Sequence, residues 1–143
     1  MPPITRWFIK SGMIYFILGI TLAFVAELPF VNTGGFLLPV YWHMLVLGWI
    51  TQLIMGVSIW MFPRKKHQRK NIQTVPAILA FWFLNAGLLM RLLTEPFIPI
   101  FKSDGWVKAV VILSSFLLFL SVIFYIVEIW PRIFSKKKRK RKK

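Results

Sequence analysis

The chain of 143 residues contains no cysteine. This absence excludes disulfides, thiolate metal sites, iron–sulfur clusters and covalent c-type haem attachment. Acidic residues are scarce as well, because the whole sequence has only four: Glu27, Glu95, Asp104 and Glu128. They are too few and too scattered to predict a carboxylate-rich metal site or a hydrolase with paired carboxylates.

Histidine occurs only twice. His67 stands among basic residues, whose charge disfavours a metal ion or a proton there. His43 lies in an apolar stretch and has no carboxylate or second histidine three or four positions away. Zinc, which takes three or four protein ligands, is therefore a poor fit. Since the sequence also shows no nucleophile–base pair and no phosphate-binding loop, an independent enzyme is not predicted.

The residues that are abundant are apolar and basic. Hydrophobic residues make up 57% of the chain, and the net charge is +15. A soluble domain of this size could not bury so much apolar surface, so the membrane class is favoured. A crossing helix needs about 20 mostly apolar residues, and four stretches qualify. We predict an all-α membrane protein with helices at about residues 11–26, 37–62, 75–93 and 107–130.

Prolines and small residues add detail to this transmembrane domain of residues 1–131. Proline cannot continue the helical hydrogen-bond ladder, so three prolines are predicted to end helices: Pro63, Pro96 and Pro131. Small residues that share a helix face predict close helix packing: Gly12 with Gly19, Gly48 with Gly56, Ala80 with Gly87, and Ser114 with Ser121.

Basic residues precede the first helix, fill the second connection and follow the fourth helix. The other two connections hold three of the four acids and few bases. By the positive-inside rule both termini lie in the cytoplasm, and the helices form two antiparallel hairpins. A cleaved signal peptide is disfavoured because the first apolar core is long and Ala26-Glu27-Leu28 is a poor cleavage site.

The basic tail, residues 132–143, has three interpretations. It can be a topology signal that also binds anionic lipid headgroups, at about 1 kcal/mol per basic residue. It can bind nucleic acid, or the acidic surface of a partner. We favour lipid headgroups, and predict no nucleic acid, because no aromatic residue interleaves with the charges of residues 136–143.

His43 is the leading candidate for chemistry. It lies about 9 Å below the outer end of the second helix, where an ionisable side chain is a functional candidate by default. The alternative is an interfacial histidine that hydrogen-bonds a neighbour. A single neutral imidazole against an apolar wall is typical of a proximal haem ligand. On a wheel of 100° per residue, such a wall runs along the face of His43: Leu47, Ile50, Ile54 and Met61, with Gly48 and Thr51 beside it.

Arg91 ends the third helix at a depth similar to that of His43, on the same side of the membrane. It can snorkel and pair with Glu95, four residues further on. Alternatively it can reach an anionic group held between the helices, such as the propionates of a haem. Asn85, deeper in the third helix, is expected to form an interhelical hydrogen bond.

The stretch that begins at His43 resembles helix II of the catalytic subunits of haem–copper oxidases and nitric oxide reductases. It is most similar to short membrane proteins that resemble cytochrome oxidase subunit I. The matching residues are His43, Gly48-Trp49, Thr51-Gln52-Leu53-Ile54, Gly56-Val57 and Trp60-Met61-Phe62-Pro63-Arg64. The third-helix pattern of the same group is similar to Leu84-Asn85-Ala86-Gly87-Leu88-Leu89 with Arg91 and Glu95-Pro96.

This resemblance, over roughly residues 41–96, implies a b-type haem with His43 as an axial ligand of the iron. The other residues expected to bind the cofactor are Arg91, Leu47, Ile50 and Thr51. Two departures limit the resemblance. Tyr41 stands where the short relatives often have another histidine, and the later helices that supply copper ligands are missing. We therefore expect no copper and no complete haem–copper centre.

A sixth ligand for the iron would have to come from outside the immediate site. The candidates are His43 of a second copy, a methionine such as Met44 or Met90, and a partner subunit. The leading hypothesis is a b-haem protein of the bacterial inner membrane, in electron transfer or NO/O2 sensing. It would act as a homo-oligomer or within a larger respiratory complex.

Two alternatives remain open. The chain can be a haem-free accessory or structural subunit of a respiratory complex, which Tyr41 in place of histidine supports. It can also be a quinone-interacting subunit that uses His43, Tyr41 and Gln52 as polar contacts.

Overall fold

The computed structural model describes residues 1–30, 37–62, 73–98 and 105–133. These form four long helices: α1 (Pro3–Ala26), α2 (Leu37–Met61), α3 (Val75–Thr94) and α4 (Gly105–Ile133). All four are long and apolar enough to cross a membrane. The prediction of an all-helical chain with four such helices is confirmed, and it indicates an integral membrane protein.

Proline marks the helix starts more clearly than the helix ends. Pro3 opens α1, and Pro76 lies in the first turn of α3, where the missing N–H has no intrahelical partner to lose. α3 ends at Thr94, just before a short 3₁₀ turn over Glu95–Phe97 that contains Pro96.

Two helices differ from their expected lengths. α1 begins at Pro3 rather than near residue 11, because the segment around Trp7 and Phe8 continues the same helix and packs on α3. α4 runs through Pro131 to Ile133, so the prediction that this proline ends the helix is wrong. Pro131 has a φ that a helix allows, and it removes one backbone hydrogen bond, the one to the carbonyl of Val127. Pro63 lies outside the described residues.

α2 is not a regular α-helix throughout. Leu37–His43 and Gln52–Met61 are α-helical, but Met44–Thr51 is a π-helix, in which backbone N–H groups bond five residues back. The Oγ1 of Thr51 likewise donates to the carbonyl of Val46, five residues back, at 2.8 Å. π-Helical segments are rare and are frequent at functional sites.

Close approach of the helix backbones depends on glycine, as the small-residue pattern predicts. A Cβ on Gly48 would lie 2.6 Å from Cγ of Tyr15, so α1 and α2 could not approach as closely with a larger residue. A Cβ on Gly87 would lie 2.9 Å from the carbonyl oxygen of Ser114, across the α3–α4 contact. Ser121 donates to the carbonyl of Ala80 at 2.8 Å along the same contact.

The four helices share one main core, with α3 the most buried helix and α4 the least. This core takes residues from each helix, and a second, smaller cluster lies nearer His43. Many large apolar side chains point away from these clusters, as expected for helices that face lipid: Ile17, Phe24, Ile54, Met61, Ile112, Phe116 and Phe119 among them.

Candidate functional site

The candidate site lies where α2, α3 and α4 meet near His43. His43 is the last residue of the first α-helical part of α2. Arg91 lies in the last turn of α3, and Glu95 begins the 3₁₀ turn that follows. Ser115 comes from α4. Side-chain contacts join these four residues into one polar cluster.

The His43 ring is held through one nitrogen. Its Nδ1 lies 2.7 Å from the carbonyl oxygen of Pro39 and 3.0 Å from Oε2 of Glu95. A carbonyl oxygen can only accept, so the Pro39 contact requires the proton on Nδ1. In the neutral ring the lone pair then stands on Nε2. His43 is therefore a ring of fixed orientation whose Nε2 can bind a metal.

Glu95 is nearly fully buried, with 6% of its surface exposed. Its Oε1 accepts from Nε of Arg91 at 2.7 Å, and its Oε2 faces the His43 ring. A buried carboxylate needs a charged or hydrogen-bonding partner, and here one arginine and one histidine supply both. The sequence predicts that Arg91 either pairs with Glu95 or reaches an anionic group between the helices. The structure shows the pair with Glu95.

Arg91 also reaches α4, because a terminal nitrogen donates to Oγ of Ser115 at 2.8 Å. Ser115 in turn donates to the carbonyl of Val111 at 3.0 Å. About a quarter of the Arg91 side chain is exposed. The cluster therefore ties three helices together while leaving part of the guanidinium accessible.

An open hollow of about 290 Å³ adjoins His43 and is lined by Trp42, Val46 and Leu47 as well. Such a volume is at the lower limit of about 300 Å³ for small-molecule pockets. A single imidazole ligand fits the chemistry of haem iron, but this hollow cannot enclose a porphyrin. A haem at His43 would need a second wall from lipid or another protein.

The apolar strip drawn at 100° per residue is not a single face. Leu47 packs with the smaller core cluster, whereas Ile50 is 44% exposed and does not line the hollow. The hydroxyl of Thr51 donates to the carbonyl of Val46 in the same helix. The π-helical segment is the physical reason, since its wider turns change the angle between successive residues. The structure thus brings together His43, Leu47 and, through Glu95, Arg91.

No family model, curated protein or solved structure matches this chain. The resemblance to oxidase subunits therefore remains a prediction from the sequence motifs. His67 and residues 134–143 of the basic tail lie outside the described residues.

A second polar contact joins α2 and α3 at mid-length. Gln52 is fully buried, and its Nε2 donates to Oδ1 of Asn85 at 3.0 Å. The Nδ2 of Asn85 donates to the carbonyl of Phe81 at 2.9 Å. The expected interhelical role of Asn85 is confirmed. Tyr41, the third residue of the quinone interpretation, stacks on Trp42, which lines the hollow beside His43.

A third polar contact joins α2 and α4 at their other ends. Glu128 and Arg132 form a buried ion pair, and Arg132 donates to the carbonyl of Ile59 at 2.9 Å. One turn away, the hydroxyls of Ser58 and Tyr125 lie 2.8 Å apart. These contacts fix the C-terminal half of α2 against α4.

Glu95 is the site residue that sequence reasoning did not assign. The signal was present, because Glu95 stands four residues after Arg91, and Arg91 and His43 are expected at equal depth. Within the described ranges, His, Asp and Glu side chains form no group of three that could hold a metal ion. The side chains of this part of the chain therefore cannot surround a metal ion by themselves, but His43 can supply a single ligand.

Proposed function

We propose that the chain is a membrane protein in which Nε2 of His43 is an axial ligand of a b-type haem. The observation that carries the proposal is the contact of Nδ1 with the Pro39 carbonyl and Glu95. Histidines that ligate metals nearly always give their other ring N–H to a carbonyl or a carboxylate, which fixes the tautomer and raises ligand basicity.

A bound haem would supply one-electron redox chemistry or gas binding at its iron. The protein side is set by the polar cluster: Glu95 orients the imidazole, and Arg91 neutralises Glu95 and remains partly exposed for a propionate. Electron transfer or NO/O2 sensing follows from whether a sixth ligand is present. Met44 packs with α1 residues in the smaller core cluster, which favours a ligand from a second copy or a partner over Met44.

The proposal includes a topology with both termini in the cytoplasm of a bacterium and two antiparallel hairpins. Contacts support the first hairpin: Gly19 of α1 meets Met44 of α2, and Gly12 meets Leu53. Contacts also support the second, since Arg91 meets Ser115 and Ala80 meets Ser121. The basic residues at both termini support a cytoplasmic location of both ends by the positive-inside rule.

The proposed partners follow from this placement. The basic tail beyond Arg132, with its lysines and arginines at 136–143, would bind anionic headgroups of the inner membrane. Arg132 itself is buried against Glu128. The small hollow beside His43 requires a second wall for the porphyrin, which supports a homo-oligomer or a larger respiratory complex.

A haem-free accessory subunit is the second candidate, and one observation favours it. Three hydrogen bonds link His43, Glu95, Arg91 and Ser115 and join three helices without any cofactor. Such a network can act purely as interhelical support. Purification within a larger complex, without haem in this subunit, would favour this function.

Haem titration of the purified protein tests the proposal. Wild-type protein should give a Soret band that saturates with added haem, and His43→Ala should abolish it. His67→Ala is the matched control, because it removes the other histidine and should leave the band unchanged. A band of equal strength in His43→Ala would overturn the proposal.

A further inference from the structure

Two contacts of α2 with α3 are separated by nine residues. His43 meets Glu95, and Gln52 meets Asn85. In a regular α-helix, nine residues make about two and a half turns, so side chains at these positions point in opposite directions. Yet both reach the same neighbouring helix.

The contacts of α2 with α1 show a similar spacing. A Cβ on Gly19 would lie 3.0 Å from Cδ2 of Leu45 and 3.1 Å from Cβ of Met44, and one on Gly12 would lie 3.5 Å from Cγ of Leu53. Leu53 follows Leu45 by eight residues and Met44 by nine, whereas two α-helical turns take about seven. The contacts with α1 therefore also depart from α-helical geometry.

The π-helical segment Met44–Thr51 lies between the members of both pairs. A π-helix has about 4.4 residues per turn because its hydrogen bonds reach five residues back. Its wider turns bring positions nine apart back to nearly the same direction. In an α-helix the same face recurs after about seven residues, because two turns take 7.2 residues.

We infer that Met44–Thr51 holds about two residues more than a regular helix needs for the same rotation, and that this insertion turns His43 toward Glu95. The segment is a positioning element for the imidazole. Its part in ligand placement rests on the proposed function, whereas its effect on helix rotation does not.

Cysteine cross-linking tests the rotation without any cofactor. Because the chain has no native cysteine, only the introduced cysteines can react. The first pair is Gly19→Cys with Met44→Cys, and the second is Gly12→Cys with Leu53→Cys. In each pair, the introduced Cβ on α1 would contact the α2 side chain that is replaced. Both pairs should cross-link under mild oxidation in the full chain. A regular α-helix would permit only one, and that result would overturn the inference.

A pair of double deletions tests the inserted residues. Val46 and Ile50 lie in the π-helical segment between His43 and Gln52, and both are exposed. Their joint deletion should restore α-helical spacing, preserve both cross-links and change the unfolding temperature little. Leu89 and Leu93 are equally peripheral and lie between Asn85 and Glu95 in regular α-helix. Their joint deletion should rotate Glu95 away from His43 by about 200° and destabilise the fold strongly.

The inference fails if joint deletion of Val46 and Ile50 loses either cross-link, or if the two double deletions lower the unfolding temperature equally. These outcomes are separate from those of the haem proposal. If both pairs cross-link but no Soret band appears, the haem proposal is rejected and the inference about helix rotation stands. If a Soret band appears but only one pair cross-links, the rotation inference is rejected and the haem proposal stands.

Discussion

Nδ1 of His43 lies 3.0 Å from Oε2 of Glu95, across the contact between the second and third helices. The two residues are 52 positions apart in sequence. Their contact converts an isolated histidine into an oriented one, because the carboxylate and the Pro39 carbonyl hold the same ring nitrogen. It also gives Glu95, whose surface is only 6% exposed, a hydrogen-bond partner in its buried position.

Glu95→Gln should weaken haem binding about 10–100-fold, the usual effect of removing the carboxylate behind a metal-bound histidine. The amide keeps the shape but loses the charge that orients the ring. Haem titration measures the effect. Glu27→Gln is the control, since Glu27 is an exposed acid beyond the end of α1. Equal affinities of the Glu95 and Glu27 variants would contradict the role of Glu95.

Asn85→Leu should destabilise the protein because it leaves the buried amide of Gln52 without its acceptor. The double variant with Gln52→Leu should recover part of the loss. A double-mutant cycle of chemical unfolding should give a coupling of about 0.6 kcal/mol and no more than about 1.7 kcal/mol, the average and the maximum for interhelical hydrogen bonds in membranes. Strictly additive effects would mean that the amides do not interact.

Arg132→Met should cost about 3–5 kcal/mol of unfolding free energy, since it leaves Glu128 as an unpaired buried charge. Adding Glu128→Gln to the same chain should restore much of the stability. Lys108→Met, at an exposed position of the same helix, serves as the control. If Arg132→Met behaves like the Lys108 variant in unfolding experiments, the ion pair does not fix α4.

Gly48→Ala should cost about 1–3 kcal/mol through overpacking, because its Cβ would lie 2.6 Å from Cγ of Tyr15. Thermal unfolding followed by circular dichroism measures the loss. Gly105→Ala should have little effect, since a Cβ there meets nothing within 4 Å. Similar unfolding temperatures for the two variants would show that α1 and α2 can separate without penalty.

Much of the fold follows directly from the sequence. Four apolar runs separated by basic or acidic connections require four helices, because unpaired backbone groups are costly in lipid. Glycine and serine spacing predicts which faces pack, as Gly48 and Gly87 confirm. Equal depth predicts that His43 and Arg91 lie in one region, and Glu95 joins them.

The rotation of α2 could not be predicted in the same way. Hydropathy does not distinguish a π-helical segment from an α-helix, so a wheel at 100° per residue misplaces Ile50 relative to His43. The His43–Glu95 contact also depends on how α2 and α3 meet, which no local pattern contains. Continuation of α4 through Pro131 reflects its position in the last turn rather than its residue type.

A reduced-minus-oxidised absorption spectrum of the purified, haem-supplemented protein tests the central claim most directly. We predict a b-type difference spectrum in wild-type protein and in His67→Ala, and its loss in His43→Ala. Absence of the signal in folded wild-type protein, or its persistence in His43→Ala, would contradict the assignment of His43 as the axial ligand.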